Sequence, residues 1–371
     1  MAPRTILHTG KGGAGRTAVA AATARRCAAA GHRTLLLGAD PSHGIGPALG
    51  QEPGPDPQQA GDLLWVQEVR AQEELERRWA GARWLEALLA ARGVPPVSAE
   101  ELTAPPGFDA LFALLVLKRH HDGRDFDVVV VDGPPTGAAL RLLALPDQTR
   151  WWLARLAPRQ GPVLHAAQRL VRDLIAMNEV LGDHDRASVR LVTTADPEAV
   201  DEARDASTSL SLHGVLCDAL VVNRVLGDDA GPLFDDLRAR QREGLAAARA
   251  SFAPAPVLEV PWLAAQPRGD AGLDALAEAV FGERDPAAVL HRGEGQSLEV
   301  GPERATLRLA LPFARQDEIS LKRHGTDLVV RVAGHKRTLS LPPALEDYRP
   351  AGARFDDGAL TVTFDRLPAT A

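Results

Sequence analysis

The chain has 371 residues, enough for more than one packed unit, each able to bury a substantial core. Hydrophobic content of 45% with 25% charge is that of an ordinary soluble protein, and the net charge of -7 gives no reason to expect nucleic acid or an anionic membrane as a partner. The two cysteines, Cys27 and Cys217, form no Cys-x-x-Cys pair, which argues against thiolate zinc and iron–sulfur sites and reads as two buried free thiols.

In chain order, an apolar strand over Thr5–Thr9 runs into the glycine-dense turn Thr9-Gly10-Lys11-Gly12-Gly13-Ala14-Gly15-Arg16-Thr17, and an alanine-rich helix follows over Thr17–Ala30. Inward-turned backbone N–H groups need absent side chains, and the helix start adds free N–H groups and a positive dipole end, so the turn is built to hold phosphate. Its spacing fits the P-loop of nucleoside triphosphatases with one substitution: Arg16 stands in the lysine position, while Thr17 can offer its hydroxyl to Mg²⁺. The same residues satisfy a dinucleotide pattern, Gly10-x-Gly12-x-x-Gly15, with Asp40 after the next strand. A pyrophosphate-only loop needs neither Lys11 nor Arg16-Thr17, so a triphosphate is favoured over that reading and over a plain glycine-rich turn. The loop begins a few residues from Met1, leaving no room for a signal peptide, and a cytoplasmic location is expected.

Further strand-like runs are Arg33–Gly38, Leu63–Val69, Asp127–Asp132, Arg190–Thr194, Asp218–Asn223 and Val257–Val260. Helical segments lie around Glu73–Ala91, Phe108–His120, Thr136–Leu145, Val163–Leu181, Pro197–Leu210 and Pro232–Ala250. This alternation predicts an α/β fold with a mostly parallel sheet flanked by helices, ligands binding beyond the carboxyl ends of the strands. The basic cluster Lys118-Arg119-His120-His121 reads as a solvated helix end, and Trp65, Trp84 and Trp262 read as core. The longest uninterrupted apolar run, Leu111 to Leu117, is too short to span a bilayer. Between Trp151 and Leu181 an arginine-rich amphipathic stretch reads as core, or alternatively as a lid that exposes apolar surface.

Two acidic strand ends complete the chemistry. Asp132 closes an apolar strand and precedes Gly133-Pro134-Pro135-Thr136-Gly137, as expected for a carboxylate that orients Mg²⁺ beside a loop sensing the γ-phosphate. Asp40, in Asp40-Pro41-Ser42-His43, is placed to orient or deprotonate an attacking water. Residues 283–296 read as a linker of no period. From 297 to 371 the period becomes two, with Leu307, Leu309, Leu311, then Leu328, Val330, Val332, then Leu360, Val362, Phe364 alternating with other residues, which predicts a small antiparallel sandwich.

Lys11 in its glycine loop, Asp40-Pro41-Ser42-His43, Pro106-Gly107-Phe108-Asp109, Pro135-Thr136-Gly137 with Leu140-Arg141-Leu142-Leu143, Val222-Asn223-Arg224-Val225 and Gln266-Pro267-Arg268-Gly269 resemble the motifs of the ArsA family. That family includes arsenite-pump ATPases and the ATPase that delivers tail-anchored membrane proteins. The resemblance covers residues 1–282, with helical segments about 71–121 and 148–182. The tail resembles a small heat-shock (α-crystallin) domain, which some bacterial and plastid members carry.

The resemblance implies ATP and Mg²⁺ as cofactors and a homodimer in which Lys11 reaches the partner's nucleotide. It implies catalytic roles for Lys11 and Asp40, a metal site at Thr17, Asp40 and Asp132, and nucleotide contacts from Gly10, Lys11, Gly12, Gly13, Ala14, Gly15, Arg16, Thr17, Ala18, Asn223 and Pro261. None of the four lysines is followed two positions later by aspartate, so the guanine signature Asn-Lys-x-Asp is missing and ATP is favoured over GTP. Without paired cysteines neither a zinc-stapled dimer nor a thiolate arsenite site can be built, and with only Met1 and Met177 the chain lacks a Met-rich client groove. Arg16 is bulkier than lysine and spreads its charge over a planar fork, and residues Gly44-Ile45-Gly46-Pro47-Ala48 depart from the family pattern. The expectation is a slow, ATP-binding dimeric switch for a hydrophobic protein client. The alternatives are a nucleotide-binding scaffold or chaperone with little or no hydrolysis and, less favoured, a surface organiser of the MinD or ParA type.

Overall fold

A computed structural model describes residues 3–40, 44–79, 103–104, 107–145, 162–293, 295–325 and 327–367. Strands β1 (Arg4–Gly10), β2 (Thr34–Gly38), β3 (Gln58–Gly61), β4 (Leu64–Glu68), β5 (Val128–Asp132), β6 (Ala187–Thr194), β7 (Cys217–Val225) and β8 (Val257–Pro261) form one sheet in the order β3-β4-β2-β5-β1-β6-β7-β8. Every neighbouring pair is parallel except β3 with β4. Around the sheet lie α1 (Arg16–Ala29), α2 (Gly46–Leu49), α3 (Ala71–Trp79), α4 (Phe108–Gly123), α5 (136–145), α6 (Pro162–Gly182), α7 (Pro197–Leu212), α8 (Asp235–Phe252) and α9 (Gly269–Phe281).

The central strands are buried along their whole length because helices cover both faces. Val128–Val131 is a β-branched run that suits a pleated strand and leaves no face for water. On one side Ile6, Leu36 and Val130 meet Ala20, Ala21, Ala24 and Cys27 of α1, whose small side chains let the helix sit close to the sheet. On the other, Leu7, Leu35, Val129 and Val131 meet Leu114 of α4 and Leu174 and Met177 of α6. Each large aliphatic side chain so buried contributes about 1.5–3 kcal/mol.

All seven strands expected in this region are present, with ends shifted by a few residues. Missing from the sequence reading are β3, a polar edge strand, the one-turn α2, and α9, although in α9 Leu273, Leu276, Ala277, Val280 and Phe281 repeat at helical spacing and are buried. The expected helix over 73–91 is described only as far as Trp79; its remainder, with Trp84, lies outside the described residues, as do Pro41, Ser42, His43, Pro106, Trp151, Trp152, Leu153 and Leu156. His120 and His121 correct the reading of a solvated cluster. Both are buried, bonded to Gln67 Oε1 at 2.6 Å and Thr5 Oγ1 at 2.7 Å, and burial lowers each to about 4, while Lys118 and Arg119 pair with Asp122 and Glu74. No helix among the described residues is long and apolar enough to cross a membrane.

The tail is all β. Strands β9 (Gln296–Val300), β10 (Arg304–Ala310), β14 (Tyr348–Asp356) and β15 (Ala359–Arg366) make a four-stranded antiparallel sheet, and β11 (Ile319–His324), β12 (Asp327–Val332) and β13 (His335–Ser340) make a three-stranded one. Leu307, Leu309, Val330, Val332, Leu360, Val362 and Phe364 face one another as its core, as the period of two requires. Leu212 of α7 belongs to the same core.

Residues 282–293 form neither helix nor strand, yet they are tied to the parallel sheet. Arg4 Nε donates to the Ala287 carbonyl (3.1 Å), Arg190 Nη2 to the Ala288 carbonyl (3.1 Å), and the Leu290 N–H to Asp218 Oδ2 (3.3 Å). Asp218 in turn pairs with Arg190 (3.2 Å) and Arg4 (3.6 Å), all three buried or nearly so. Removing the shared carboxylate strands two guanidinium groups in a low-dielectric site. Asp218→Ala is expected to lose about 3–5 kcal/mol of stability in urea unfolding; a loss under about 1 kcal/mol, the level of a surface pair, would show that the strap does not depend on this cluster.

Candidate functional site

The parallel register brings the strand ends to one level. His8 of β1 lies opposite Asp132 of β5, Gly10 opposite Val192 of β6, and Gly38 of β2 opposite Asp132 on its other side. The connections leaving these strands therefore meet at one edge. Cross-bonds hold them: the Gly133 N–H donates to the His8 carbonyl (2.9 Å), the Ala39 N–H to the Asp132 carbonyl (2.9 Å) and Thr9 Oγ1 to the Pro134 carbonyl (2.7 Å).

The glycine loop needs its glycines for space as well as for dihedral angle. A Cβ on Gly10 would overlap the Val192 carbonyl, and one on Gly15 (φ +91°) would come within 2.6 Å of Asn223 Nδ2. Asn223 fastens the loop from β7 by donating to the Ala14 carbonyl at 2.8 Å. No side chain caps α1, so the N–H groups of its first turn stay open toward the loop.

An open cleft of about 840 Å³ lies over this helix start. Of the residues picked from sequence, Gly12, Gly13, Gly15, Arg16, Thr17, Ala18, Asn223 and Pro261 line it. Ala14 is buried beneath the loop. Gly10 and Lys11 turn to the other side, onto a small cavity shared with Thr136 and Glu202, where Lys11 Nζ lies 3.8 Å from Glu202 Oε2. Asp40 and Asp132 are both buried and do not line the cleft.

Three residues carry the electrostatics. Arg16 is buried; its guanidinium donates to the Gly133 carbonyl and to Asp40 Oδ2 at 3.2 Å, so it links the ends of two strands across the helix start. Asp132 is wholly buried, and neither carboxylate oxygen has a hydrogen-bond partner among the described residues. Burial drives its carboxyl up to about 7; Thr17 and Arg16 pull it down, while Asp40 and Glu68 push it further up. The Thr17 hydroxyl is close enough to this carboxylate to lower its pKa. A buried carboxylate short of partners, next to a hydroxyl at a helix start, is a donor set that fits Mg²⁺ with most of its other ligands from water and phosphate. Among the described residues no group of three or more His, Cys, Asp or Glu could hold a metal ion.

Trp262 corrects the reading of a core tryptophan. It is 57% exposed at the rim of the cleft, beside Pro261, with the Arg224 guanidinium 5.9 Å from its ring centre. Arg224 adopts a left-handed backbone (φ +63°) where β7 shifts register against β8; Gln241 Nε2 donates to its carbonyl and Gln241 Oε1 accepts the Leu226 N–H. Sequence spacing offered one signal for Trp262, its place directly after Pro261. It offered none for Glu202, which meets Lys11 only because α7 packs beside β6.

The sequence model of the family described as "Anion-transporting ATPase" matches residues 3–282, and that of an "HSP20-like domain found in ArsA" matches residues 302–364. A Streptomyces coelicolor protein described as uncharacterized is 37% identical over 398 residues, covering 97% of this chain and 97% of its own. A Chlorobaculum tepidum protein named "Putative arsenical pump-driving ATPase" is 29% identical over 388 residues, covering 98% of this chain and 96% of its own. The Arabidopsis thaliana ATPase GET3B is 25% identical over 259 residues, 58% of this chain and 63% of its own. A match over most of the chain, on a parallel sheet with a glycine loop at its central strand and an all-β tail, shows that the chain belongs to the ArsA family of ATPases.

Proposed function

We propose that the cleft binds Mg·ATP and that the chain is a slow ATPase acting as a dimeric conformational switch. The observation that carries this reading is Asp132, whose buried carboxylate lacks any hydrogen-bond partner among the described residues and lies next to Thr17 at the open end of α1. Backbone N–H groups of Gly12, Gly13, Gly15, Arg16 and Thr17, with the dipole of α1, hold the phosphates. Thr17 and Asp132 hold the metal, which supplies charge neutralisation on the phosphate oxygens. Asn223, Pro261 and Trp262 face the base from the ends of β7 and β8, with Trp262 offering the flat apolar surface a purine needs.

Asp40 is the group that orients and takes a proton from the attacking water. In the described conformation one of its oxygens is engaged by Arg16, and Arg16 is itself held by two acceptors. Arg16 must break those bonds to reach a phosphate, and Asp40 is less free to receive a proton while they last. That pair supports slow turnover, and it also supports the second reading, a nucleotide-binding scaffold or chaperone with little or no hydrolysis. The family resemblance supports a homodimer, with Lys11 serving the partner's nucleotide, and a hydrophobic protein client. The exposed Leu233 and Phe234 add apolar surface on the approach to α8.

Calorimetry with ATP and with ADP in magnesium is expected to show binding, and no heat with either would remove the nucleotide reading. Steady-state turnover is expected well below the ~1 s⁻¹ at the low end of common enzymes. Asp40→Asn should lower it by about 10²-fold or more, and Arg16→Lys should raise it, because a lysine lacks the planar fork that spans both acceptors. Brisk wild-type turnover that Arg16→Lys leaves unchanged would overturn the slow-switch account.

Asp132 gives a pH-dependent outcome in the metal-free protein. Its carboxyl is raised from 3.8 to about 7, so the folded state keeps a proton that the unfolded chain has released. This contribution to stability is complete below the unfolded value and is lost as pH rises through about 7. Asp132→Asn stays neutral and should lack that fall, the difference being on the order of 4 kcal/mol in urea unfolding at about pH 8 relative to acid. Parallel pH profiles for wild type and variant would show that the burial penalty is relieved by other means.

A further inference from the structure

Helix α7 touches both functional ends of the molecule. Near its start, Thr193 Oγ1 donates to the Ala199 carbonyl at 2.9 Å, fixing the first turn to the end of β6. The same strand end receives the Lys11 N–H on the Val192 carbonyl at 3.2 Å. One turn further on, Glu202 pairs with Lys11 at 3.8 Å, both side chains being about half exposed. At the far end the helix enters the sandwich. Leu212 is wholly buried in the sandwich core, Arg337 Nη1 donates to the Leu212 carbonyl at 2.6 Å, and the Thr208 hydroxyl donates to the Pro312 carbonyl. The neighbouring α8 braces the joint: Arg204 Nε donates to Ser251 Oγ at 2.9 Å, and the Phe252 ring lies 5.3 Å from that of Phe313. Sixteen helical residues make a stiff rod of about 24 Å between loop and sandwich.

We propose that Glu202 is a positioning residue for Lys11, and that α7 carries the state of that pair to the sandwich, so that the tail responds to occupancy of the glycine loop. This rests on the reading that the loop takes nucleotide. The physical argument is a competition. The Lys11–Glu202 pair is long and half solvated, a class of contact that holds weakly. A polyphosphate within reach of Lys11, in this loop or in a partner's, attracts Lys11 and repels Glu202, so it interacts differently with the paired and unpaired arrangements, which is what any ligand-driven shift requires. The repulsion on Glu202 acts on a helix bonded at one end to β6 and at the other to β13 and the segment after β10, with Leu212 packed in the sandwich core. The shift it makes is delivered where Leu212 and Thr208 sit.

The test is hydrogen exchange on the full chain, without ligand and with Mg·ADP or magnesium and a non-hydrolysable ATP analogue. Wild type is expected to change protection at residues 10–18 and also at 205–213, 307–312 and 328–339. Glu202→Gln, a change at a half-exposed side chain that should leave folding intact, is expected to keep the first change and lose the others. It should also bind nucleotide up to about fivefold more tightly, because the competing pair is gone. A wild-type response confined to residues 10–18, or a remote response undiminished in Glu202→Gln, overturns the proposal. No response in any segment, including the loop, removes the nucleotide reading and this inference with it.

Discussion

Parallel register at the carboxyl edge of the central sheet is the constraint from which the site follows. With β1 between β5 and β6, and β2 beyond β5, the ends of four strands stop at nearly one height. The glycine loop, the Gly133–Pro135 segment and Asp40 are neighbours for that reason alone, although they are far apart along the chain. Backbone bonds between adjacent strand ends, such as Ala39 N–H to the Asp132 carbonyl, then remove most of the remaining freedom. Moving β5 by one residue would swap the buried Asp132 for an apolar side chain and leave the loop without its carboxylate.

Into this edge the sequence places two carboxylates and one guanidinium, all removed from water. The guanidinium goes to Asp40, and the Asp132 carboxylate is left without a hydrogen bond among the described residues. A buried charge without partners is costly, so the group either takes up a proton or waits for a cation. Burial accordingly raises the Asp132 carboxyl to about 7. The Arg16 bridge has a second consequence. The fork of an arginine satisfies two acceptors at once, the Gly133 carbonyl and Asp40, a geometry for which a lysine's single ammonium is less well shaped. One residue of the loop thus ties together the segments that follow β2 and β5 and occupies an oxygen of Asp40.

The tail is joined to the ATPase fold by more than a tether. Residues 282–293 are held by the Arg4–Asp218–Arg190 cluster, and α7 ends inside the sandwich core through Leu212. A mostly parallel sheet and an antiparallel sandwich of two sheets therefore share one helix. A polar carbonyl at the end of that helix is satisfied by Arg337 from the sandwich, a contact neither part could make alone.

Much was legible from the sequence itself. Apolar runs such as Val128–Val131 fixed the buried parallel strands, and the alternation of Leu307, Leu309 and Leu311 fixed the antiparallel tail, because side-chain period is a local property. The loop, Thr17 and Asp132 could be picked out because glycine spacing and a strand-ending carboxylate have few other uses. What only tertiary structure decided were pairings across long separations: Arg16 with Asp40 and Gly133, Lys11 with Glu202, and Trp262 at an open rim rather than in a core. His120 and His121 were likewise misread, since whether a histidine near a helix end meets water depends on what packs over it. Those outcomes are set by which strand lies beside which and where a helix is laid down, and residue type and spacing along the chain do not contain that information.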